Sequence, residues 1–179
     1  MPEVPQVAVF DTAFHATLSP EAFTYAVPAS WTRDWGIRRF GFHGLSYAYC
    51  SRRAAEMLDR PADQLRLVIC HLGHGCSAAA VHRGQSIETT MGFTPLEGLM
   101  MGTRSGSIDP GIVLHVQQQY GLTSEQIETD LNAKSGLLGV SEISADMALQ
   151  RRDALRAVLE TIVRNDTILK PCIPLVEFR

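Results

Sequence analysis

The stretch that most constrains the fold of this chain reads TPLEGLMMGTRSGSID, from Thr94 to Asp109. Its glycines disfavour a regular helix or strand, because each glycine inside such an element costs about 1 kcal/mol relative to alanine. Glycine at this density indicates backbone that turns with positive φ or approaches a ligand closely. Arg104 lies among these glycines, and its planar guanidinium suits phosphate or carboxylate. On its own, a surface arginine in a turn is the simpler interpretation.

Composition indicates a globular chain, with one domain or parts of two. Its 179 residues are 45% hydrophobic and 20% charged, with a net charge of -3, which gives no electrostatic reason to expect nucleic acid. No apolar run approaches the roughly 20 residues of a membrane span, and no signal peptide is visible at the N-terminus. The four cysteines form no CxxC pair, which favours reduced thiols in a cytoplasmic protein over a zinc site.

Asp11 follows a short apolar run, QVAVF from Gln6 to Phe10, that predicts a buried strand. A carboxylate at the carboxyl end of such a strand lies where open α/β sheets place ligand contacts. The alternative is that Asp11 caps a turn. His15 is as consistent with a structural histidine as with a ligand. A short helix is predicted to begin at Ser19-Pro20 and to end by Pro28, with an irregular segment from there to residue 34.

His43 lies between Gly41 and Gly44, directly before a predicted helix from Leu45 to Leu58. Helix N-termini attract anions through their free N–H groups, so a histidine at this position can donate to a phosphoryl oxygen. A turn histidine that makes one backbone hydrogen bond is the alternative. Along that helix, Tyr49, Ala54 and Met57 are predicted to share a side.

Three strands are predicted at Leu65–Leu72, Cys76–Val81 and Ser86–Thr90, with Gly73-His74-Gly75 between the first two. They predict a β-meander, because turns and not helices separate them. That excludes a dinucleotide-binding GxGxxG, which needs a following helix, and the segment also lacks the GK[ST] of a P-loop. A glycine turn between strands can still present N–H groups to phosphate.

The second half of the chain predicts mostly helices. One begins at Asp109-Pro110 and ends at Gly121, and a capping box formed by Thr123 and Gln126 begins the next. Residues 135–140 are predicted to form a turn and a short apolar run. A longer helix is predicted at Ala145–Arg164, followed by a tail from Lys170. The apolar stripe of the first helix consists of Ile112, Val113, Val116 and Tyr120.

Together these segments resemble the acetate kinase family. The resemblance implies an α/β fold of the actin-like, ribonuclease H-like kind, with two lobes around a cleft. Residues 1–16 would end the N-terminal lobe, 17–147 would form the first half of the C-terminal, nucleotide-binding lobe, and 148–179 diverge. The matching stretches are VFDTAFH (Val9–His15), RRFGFHGLS (Arg38–Ser46), ICHLGHGCSAAAV (Ile69–Val81), SIETTMGFTPLEGLMMGTRSGSIDP (Ser86–Pro110) and AKSGLLGVS (Ala133–Ser141).

The resemblance also implies a chemistry, reversible phosphoryl transfer from ATP to acetate with Mg²⁺. Asp11 then corresponds to the catalytic aspartate, and His43 and Arg104 to residues that stabilise the transition state. Acetate is already ionised near neutral pH, so Asp11 is expected to orient groups or act toward magnesium rather than serve as a base. The nucleotide phosphate loop would comprise His71, Leu72, Gly73, His74 and Gly75.

The chain departs from the family pattern in three places. His74 replaces the asparagine of HLGNG, and Leu45 and Tyr47 replace residues of GFHGTSH. Family members are also much longer, so the sequence predicts the middle of such a kinase, with the magnesium and adenosine residues in other segments. The expected partners are ATP or ADP, acetate or acetyl phosphate, and a second copy of the chain. The alternatives are a propionate or butyrate kinase, or an inactive fragment that only associates.

Overall fold

A three-stranded antiparallel sheet is the largest β element of the computed structural model, which describes residues 4–146. Its strands are β1 (Arg66–Leu72), β2 (Cys76–His82) and β3 (Gln85–Thr89), in the order β1-β2-β3. A tight turn at residues 83 and 84, both with positive φ, joins β2 to β3. The predicted β-meander is confirmed.

The two faces of this sheet differ in burial. Residues of β2 alternate between buried and partly buried, as expected when one face of a strand packs on a core. Helix α3 (Gly44–Met57) and a 3-10 turn (Ala13–Thr17) pack against the sheet. On the other face, Val68 and Leu72 are 68% and 74% exposed.

The core beneath the sheet contains a fully buried histidine, His15. Its Nε2 lies 3.0 Å from the carbonyl oxygen of Phe42, and its Nδ1 lies 2.8 Å from Ser86 Oγ. Because a carbonyl only accepts, Nε2 carries the proton and Ser86 donates to Nδ1. Burial lowers the pKa of His15, although the Phe42 carbonyl and Asp11 act in the opposite direction. The structural alternative for His15 is therefore the one observed.

The remaining helices follow local sequence signals. Asp109 begins α4, where its carboxylate accepts from Gly111 N at 2.8 Å, and the predicted capping box of Thr123 and Gln126 begins α5. Within residues 4–146, no helix is long and apolar enough to cross a membrane. The helices are α1 (Pro20–Phe23), α2 (Ala29–Trp35), α3, α4 (Pro110–Tyr120), α5 (Ser124–Ala133) and α6 (Gly136–Ser141).

The predicted strand at Gln6–Phe10 is wrong. This segment forms neither helix nor strand, and its apolar side chains face solvent, with Val7 83% and Phe10 69% exposed. A strand is stable only when its N–H and C=O groups are paired, and the three strands of the described chain pair with one another instead.

Several helical predictions also need correction. The segment predicted to be irregular up to residue 34 contains α2, and the predicted turn at 135–140 contains α6. On α3 the buried side chains are Tyr47 and Ser51, whereas Tyr49 and Met57 are 58% and 75% exposed. Of the apolar stripe predicted on α4, Ile112 and Tyr120 are exposed, and the two valines are partly buried. The helix predicted at 145–164 and the tail lie almost wholly outside the described residues.

The glycine-rich stretch from residue 94 to 109 contains neither helix nor strand, as predicted. Gly98 and Gly106 have φ of 108° and 71°, values that strain residues with a side chain. At Gly106 a Cβ would also lie 2.6 Å from the carbonyl oxygens of Gly98 and Leu99. Glycine is needed at this position because the loop folds back on itself.

Gly41 offers a direct test of the packing around His15. Its φ is 76°, and a Cβ there would lie 2.5 Å from His15 Cδ2. We expect Gly41→Ala to lower the free energy of unfolding by about 2–4 kcal/mol, from backbone strain and overpacking together. Gly36 is the matched control, because it has φ of 67° with nothing within 4 Å of its Cβ position. Gly36→Ala should cost only about 1 kcal/mol. An equal loss of the free energy of unfolding in the two variants, measured with urea, would contradict tight packing of Gly41 against His15.

Candidate active site

Asp11 holds the start of α3. Its Oδ2 accepts from His43 N at 2.6 Å, its backbone carbonyl accepts from Gly44 N at 2.9 Å, and its Oδ1 accepts from Leu45 N at 3.4 Å. These are N–H groups of a helix start that have no partner within the helix. A carboxylate there is also favoured by the helix dipole. Asp11 therefore caps the start of α3, whereas the sequence offered the cap of a turn as the alternative to a ligand contact.

His43 sits directly before α3 with φ of 60°, an uncommon conformation for a residue other than glycine. Its ring stacks on that of His71, with centroids 3.9 Å apart and planes inclined by 19°. Its Nδ1 lies 2.7 Å from Ser77 Oγ, which is also hydrogen-bonded to the hydroxyl of Tyr47. His71 Nδ1 in turn lies 3.0 Å from Ser46 Oγ. The orientation of His43 is therefore fixed on several sides.

His43 and Arg104 converge on Gly75. A Cβ at Gly75 would lie 3.4 Å from His43 Nε2 and 3.5 Å from Arg104 Nη1, so the missing side chain leaves space between the two donors. Arg104 is steadied by the Pro95 carbonyl, which accepts from Nη1 at 3.2 Å. Gly73 N donates to the carbonyl of Gly75 at 3.1 Å and closes the turn between β1 and β2.

Two members of the predicted phosphate loop point elsewhere. Leu72 is 74% exposed on the outer face of the sheet. The His74 ring packs on the glycine-rich stretch, with Nε2 3.4 Å from Thr103 Oγ1 and Nδ1 2.9 Å from the Cβ position of Gly102. The His74 carbonyl also accepts from Gly102 N at 3.1 Å. His74 therefore ties the turn to the stretch that carries Arg104.

Burial and neighbouring charge set the electrostatics of the site. Burial lowers the pKa of His43. The neighbouring His71 and Arg104 lower the pKa of His43 further, whereas Asp11 raises it. His43 is therefore neutral near pH 7, and the positive charge beside Gly75 comes from Arg104. Within residues 4–146, no group of three His, Cys, Asp or Glu side chains could share a metal ion.

Sequence reasoning missed the residues that support these groups. Ser77 lies directly opposite His71 in the β1–β2 register, and opposite residues of a strand pair project to the same face. The alternation of buried residues along β2 was the signal for Ser77, but the register was needed to show its contact.

A second cluster supports the stretch from residue 94 to 109. Glu97 accepts from the Tyr25 hydroxyl and, at 3.1 Å, from Arg39 Nη2.

Two cavities of the described residues lie away from the candidate site. A cavity of about 610 Å³ lies between α3 and the segment 59–62, and one of about 450 Å³ lies between α4 and the loop at 94–96. Neither is lined by His43, Arg104 or the 71–75 loop. Neither cavity therefore identifies the candidate site, which is defined by the convergence of His43 and Arg104 on Gly75.

Known proteins match this chain over most of its length. The model of the acetokinase family matches residues 1–162. An acetate kinase of Microcystis aeruginosa (strain NIES-843 / IAM M-2473) is 59% identical over 145 residues, which are 81% of this chain and 36% of that protein. An acetate kinase of Geobacillus sp. (strain WCH70) is 50% identical over 95% of this chain and 42% of its own length.

Solved structures share the fold. The acetate kinase of Porphyromonas gingivalis superimposes with a TM-score of 0.75 at 41% identity, over 89% of this chain and 38% of that one. A propionate kinase from Francisella tularensis subsp. tularensis SCHU S4 superimposes with a TM-score of 0.77 at 43% identity, over 93% of this chain and 40% of that one. The predicted α/β fold class is confirmed, and these two structures are kinases named for two short carboxylic acids.

The chain belongs to the acetokinase family, as the motifs predicted. It spans between a third and a half of the length of the curated relatives that it matches. The division into segments 1–16, 17–147 and 148–179 stays a prediction.

The contacts of Asp11 predict a measurable contribution to stability. We expect Asp11→Ala to lower the free energy of unfolding by about 1–2 kcal/mol, because it removes the acceptor at the start of α3. Asp11→Asn keeps one acceptor oxygen and should lose less. Asp34→Ala is the control, because its ion pair with Arg33 is exposed and contributes little. Equal stability of Asp11→Ala and Asp34→Ala in urea unfolding would show that Asp11 does not hold the helix.

Proposed function

We propose that this chain carries part of the phosphoryl-transfer site of an acetate kinase. The observation that carries the proposal is the convergence of His43 Nε2 and Arg104 Nη1 on Gly75. It occurs in a chain whose curated relatives are named acetate kinases. Phosphoryl transfer asks a protein mainly to position the reactants and to stabilise charge, and the two donors match that requirement.

In the proposed reaction an oxygen of acetate attacks the γ-phosphorus of ATP. A bond forms between that oxygen and phosphorus, the bond to the bridging oxygen of ADP breaks, and acetyl phosphate is released. Arg104 would balance the charge on the equatorial oxygens and His43 would donate a hydrogen bond to one of them. Asp11 would act indirectly, because its carboxylate oxygens accept from the backbone at the start of α3.

The 71–75 loop would approach the phosphates of the nucleotide. Gly75 leaves the space between His43 and Arg104 open, and backbone N–H groups of such turns favour anions. Mg²⁺ is usually held by substrate phosphates and one or two carboxylates. The ion would therefore depend on the nucleotide and on protein outside the described residues.

Two further proposals concern the partners of the chain and its place in the cell. We propose that it forms a homodimer, because α4 leaves apolar side chains exposed, with Ile112 50% and Tyr120 71% exposed. Clusters of exposed apolar residues mark association surfaces.

The described cysteines, at positions 50, 70 and 76, are free thiols, which fits a cytoplasmic protein.

A propionate kinase is the second candidate. A solved propionate kinase superimposes on 93% of this chain at 43% identity, so the shared region does not separate the two acids. Comparison of acetate with propionate as substrate decides between them. We expect acetate to give the higher kcat/KM.

The proposal predicts the effect of removing Arg104. Acyl phosphate formed by the purified chain from MgATP and acetate is trapped with hydroxylamine and measured as the hydroxamate. Arg104→Ala should lower the rate about 100-fold or more, because one preorganised donor to the transition state is lost. Arg104→Lys keeps the charge without the planar fork, so its rate should lie between those of the unaltered chain and Arg104→Ala.

The control is Arg53→Ala. Arg53 is exposed on α3 and pairs with Glu56, so its loss should leave the rate unchanged. Equal rates in the two alanine variants would contradict the role of Arg104. If no variant turns over and the chain elutes as a dimer without binding MgATP, the chain is the associating fragment that the sequence offered as an alternative.

A further inference from the structure

Three polar groups form a continuous line from the core to the candidate site. Tyr47 on α3 and Ser77 on β2 are both fully buried. The Tyr47 hydroxyl is hydrogen-bonded to Ser77 Oγ, and Ser77 Oγ lies 2.7 Å from Nδ1 of His43. Because the groups are connected in series, the direction of one hydrogen bond determines the direction of the next.

The buried tyrosine sets that direction. Among the described residues, Ser77 is the hydrogen-bond partner of the Tyr47 hydroxyl, and a buried O–H that donates to nothing is strongly disfavoured. Tyr47 therefore donates to Ser77 Oγ. Ser77 Oγ could accept from two donors, but its own buried O–H also needs an acceptor, and among the described residues its side-chain partners are Tyr47 and His43 Nδ1. Because Tyr47 donates, Ser77 donates to Nδ1, and the ring proton of neutral His43 resides on Nε2.

Nε2 is the atom of His43 that faces the site. It lies 3.4 Å from the Cβ position of Gly75, on the same side as Nη1 of Arg104 at 3.5 Å. A proton on Nε2 presents a donor to an anion in that space. The other tautomer would present a lone pair, which repels a phosphoryl oxygen.

We propose that Tyr47 and Ser77 are positioning residues that hold His43 as a neutral hydrogen-bond donor through Nε2. The inference deepens the proposed function and rests on it for the identity of the acceptor, a phosphoryl oxygen. It also gives a role to Tyr47, one of the departures from the family pattern.

The other contacts of these residues agree with this role. Burial raises the pKa of Tyr47 to about 12, so its hydroxyl keeps its proton at neutral pH. The stacking of His43 on His71, at 3.9 Å between centroids, fixes the ring plane. His43 therefore has a fixed orientation and a fixed proton position before any ligand binds.

The tautomer can be read directly by nitrogen-15 NMR of the full chain labelled at histidine. His43→Gln assigns the His43 signals. We expect a pyrrole-like shift at Nε2 and a pyridine-like shift at Nδ1. In Tyr47→Phe, Ser77 becomes free to accept from Nδ1, and the tautomer ratio should move at least about five-fold toward the Nδ1–H form.

Further variants separate positioning from general loss of structure. Ser77→Ala should shift the ratio in the same direction, whereas Ser77→Thr keeps the hydroxyl and should retain the original ratio. Tyr49→Phe is the matched control, because Tyr49 lies on the same helix and is 58% exposed. The signals of buried His15 report in every variant whether the core is intact. A dominant Nδ1–H form in the unaltered chain would overturn the proposal, and so would an unchanged ratio in Tyr47→Phe.

The NMR measurement requires no substrate, so it is independent of turnover. A fixed Nε2–H tautomer with no hydroxamate formed would overturn the proposed function and leave the positioning role standing. Turnover with a tautomer that does not respond to Tyr47→Phe would overturn the positioning role alone. Where the chain turns over, Tyr47→Phe should lower kcat several-fold with little change in the KM for ATP, because the donor acts on the transferring group.

Discussion

The candidate site depends on Asp11, which accepts hydrogen bonds from three consecutive N–H groups at the start of α3. Asp11 holds His43 at φ of 60°, a conformation that costs about 1 kcal/mol or more outside glycine. The hydrogen bonds of Asp11 to His43, Gly44 and Leu45 offset that cost. From this position the His43 ring reaches His71 on β1 and Ser77 on β2 at the same time. A turn, a helix and two strands thus meet at one residue.

In the proposed phosphoryl site, Arg104 is, among the described residues, the one permanent cation beside Gly75. Arg104 supplies the charge and neutral His43 supplies a directed donor, while Gly75 keeps the space between them free. Burial is the main cause of the lowered pKa of His43, and His71 and Arg104 lower that pKa further, so His43 does not add a second positive charge there near pH 7. The stretch that carries Arg104 is also held from outside this space, by the polar cluster around Glu97 and by the packing of His74 on Gly102.

Local signals in the sequence predicted much of the fold. The meander, the capping box of α5 and the Asp109 cap of α4 all depend on residues close together in the chain, so they could be read from short patterns. The strand at Gln6–Phe10 failed for the opposite reason, because a strand needs a partner and the apolar run alone does not supply one. Helix α2 was missed since its sequence, ASWTRDW, has neither a strong apolar period nor a side-chain cap.

Sequence motifs identified most residues of the candidate site, but they did not predict the contacts between them. Asp11, His43, Arg104 and the 71–75 loop were chosen from motifs, and the structure brings His43, His71, Gly75 and Arg104 together, with Asp11 at the backbone of His43. The contacts of Ser77 and Tyr47 depend on the register between β1 and β2 and on which face of α3 is buried, and no short pattern contains either. The exposed Leu72 shows the reverse, a residue inside a motif that faces away from the site.

If His43, Arg104 and Gly75 form one binding site for a phosphoryl group, a bound ligand must affect all three residues together. The most direct measurement is an NMR titration of the labelled chain with acetyl phosphate, following the Gly75 amide, the Arg104 guanidinium and the His43 ring. We expect all three signals to shift together with one binding constant, and Arg104→Ala to abolish the shifts. Shifts confined to the cavity beside α3, or independent titration of the three groups, would contradict this expectation.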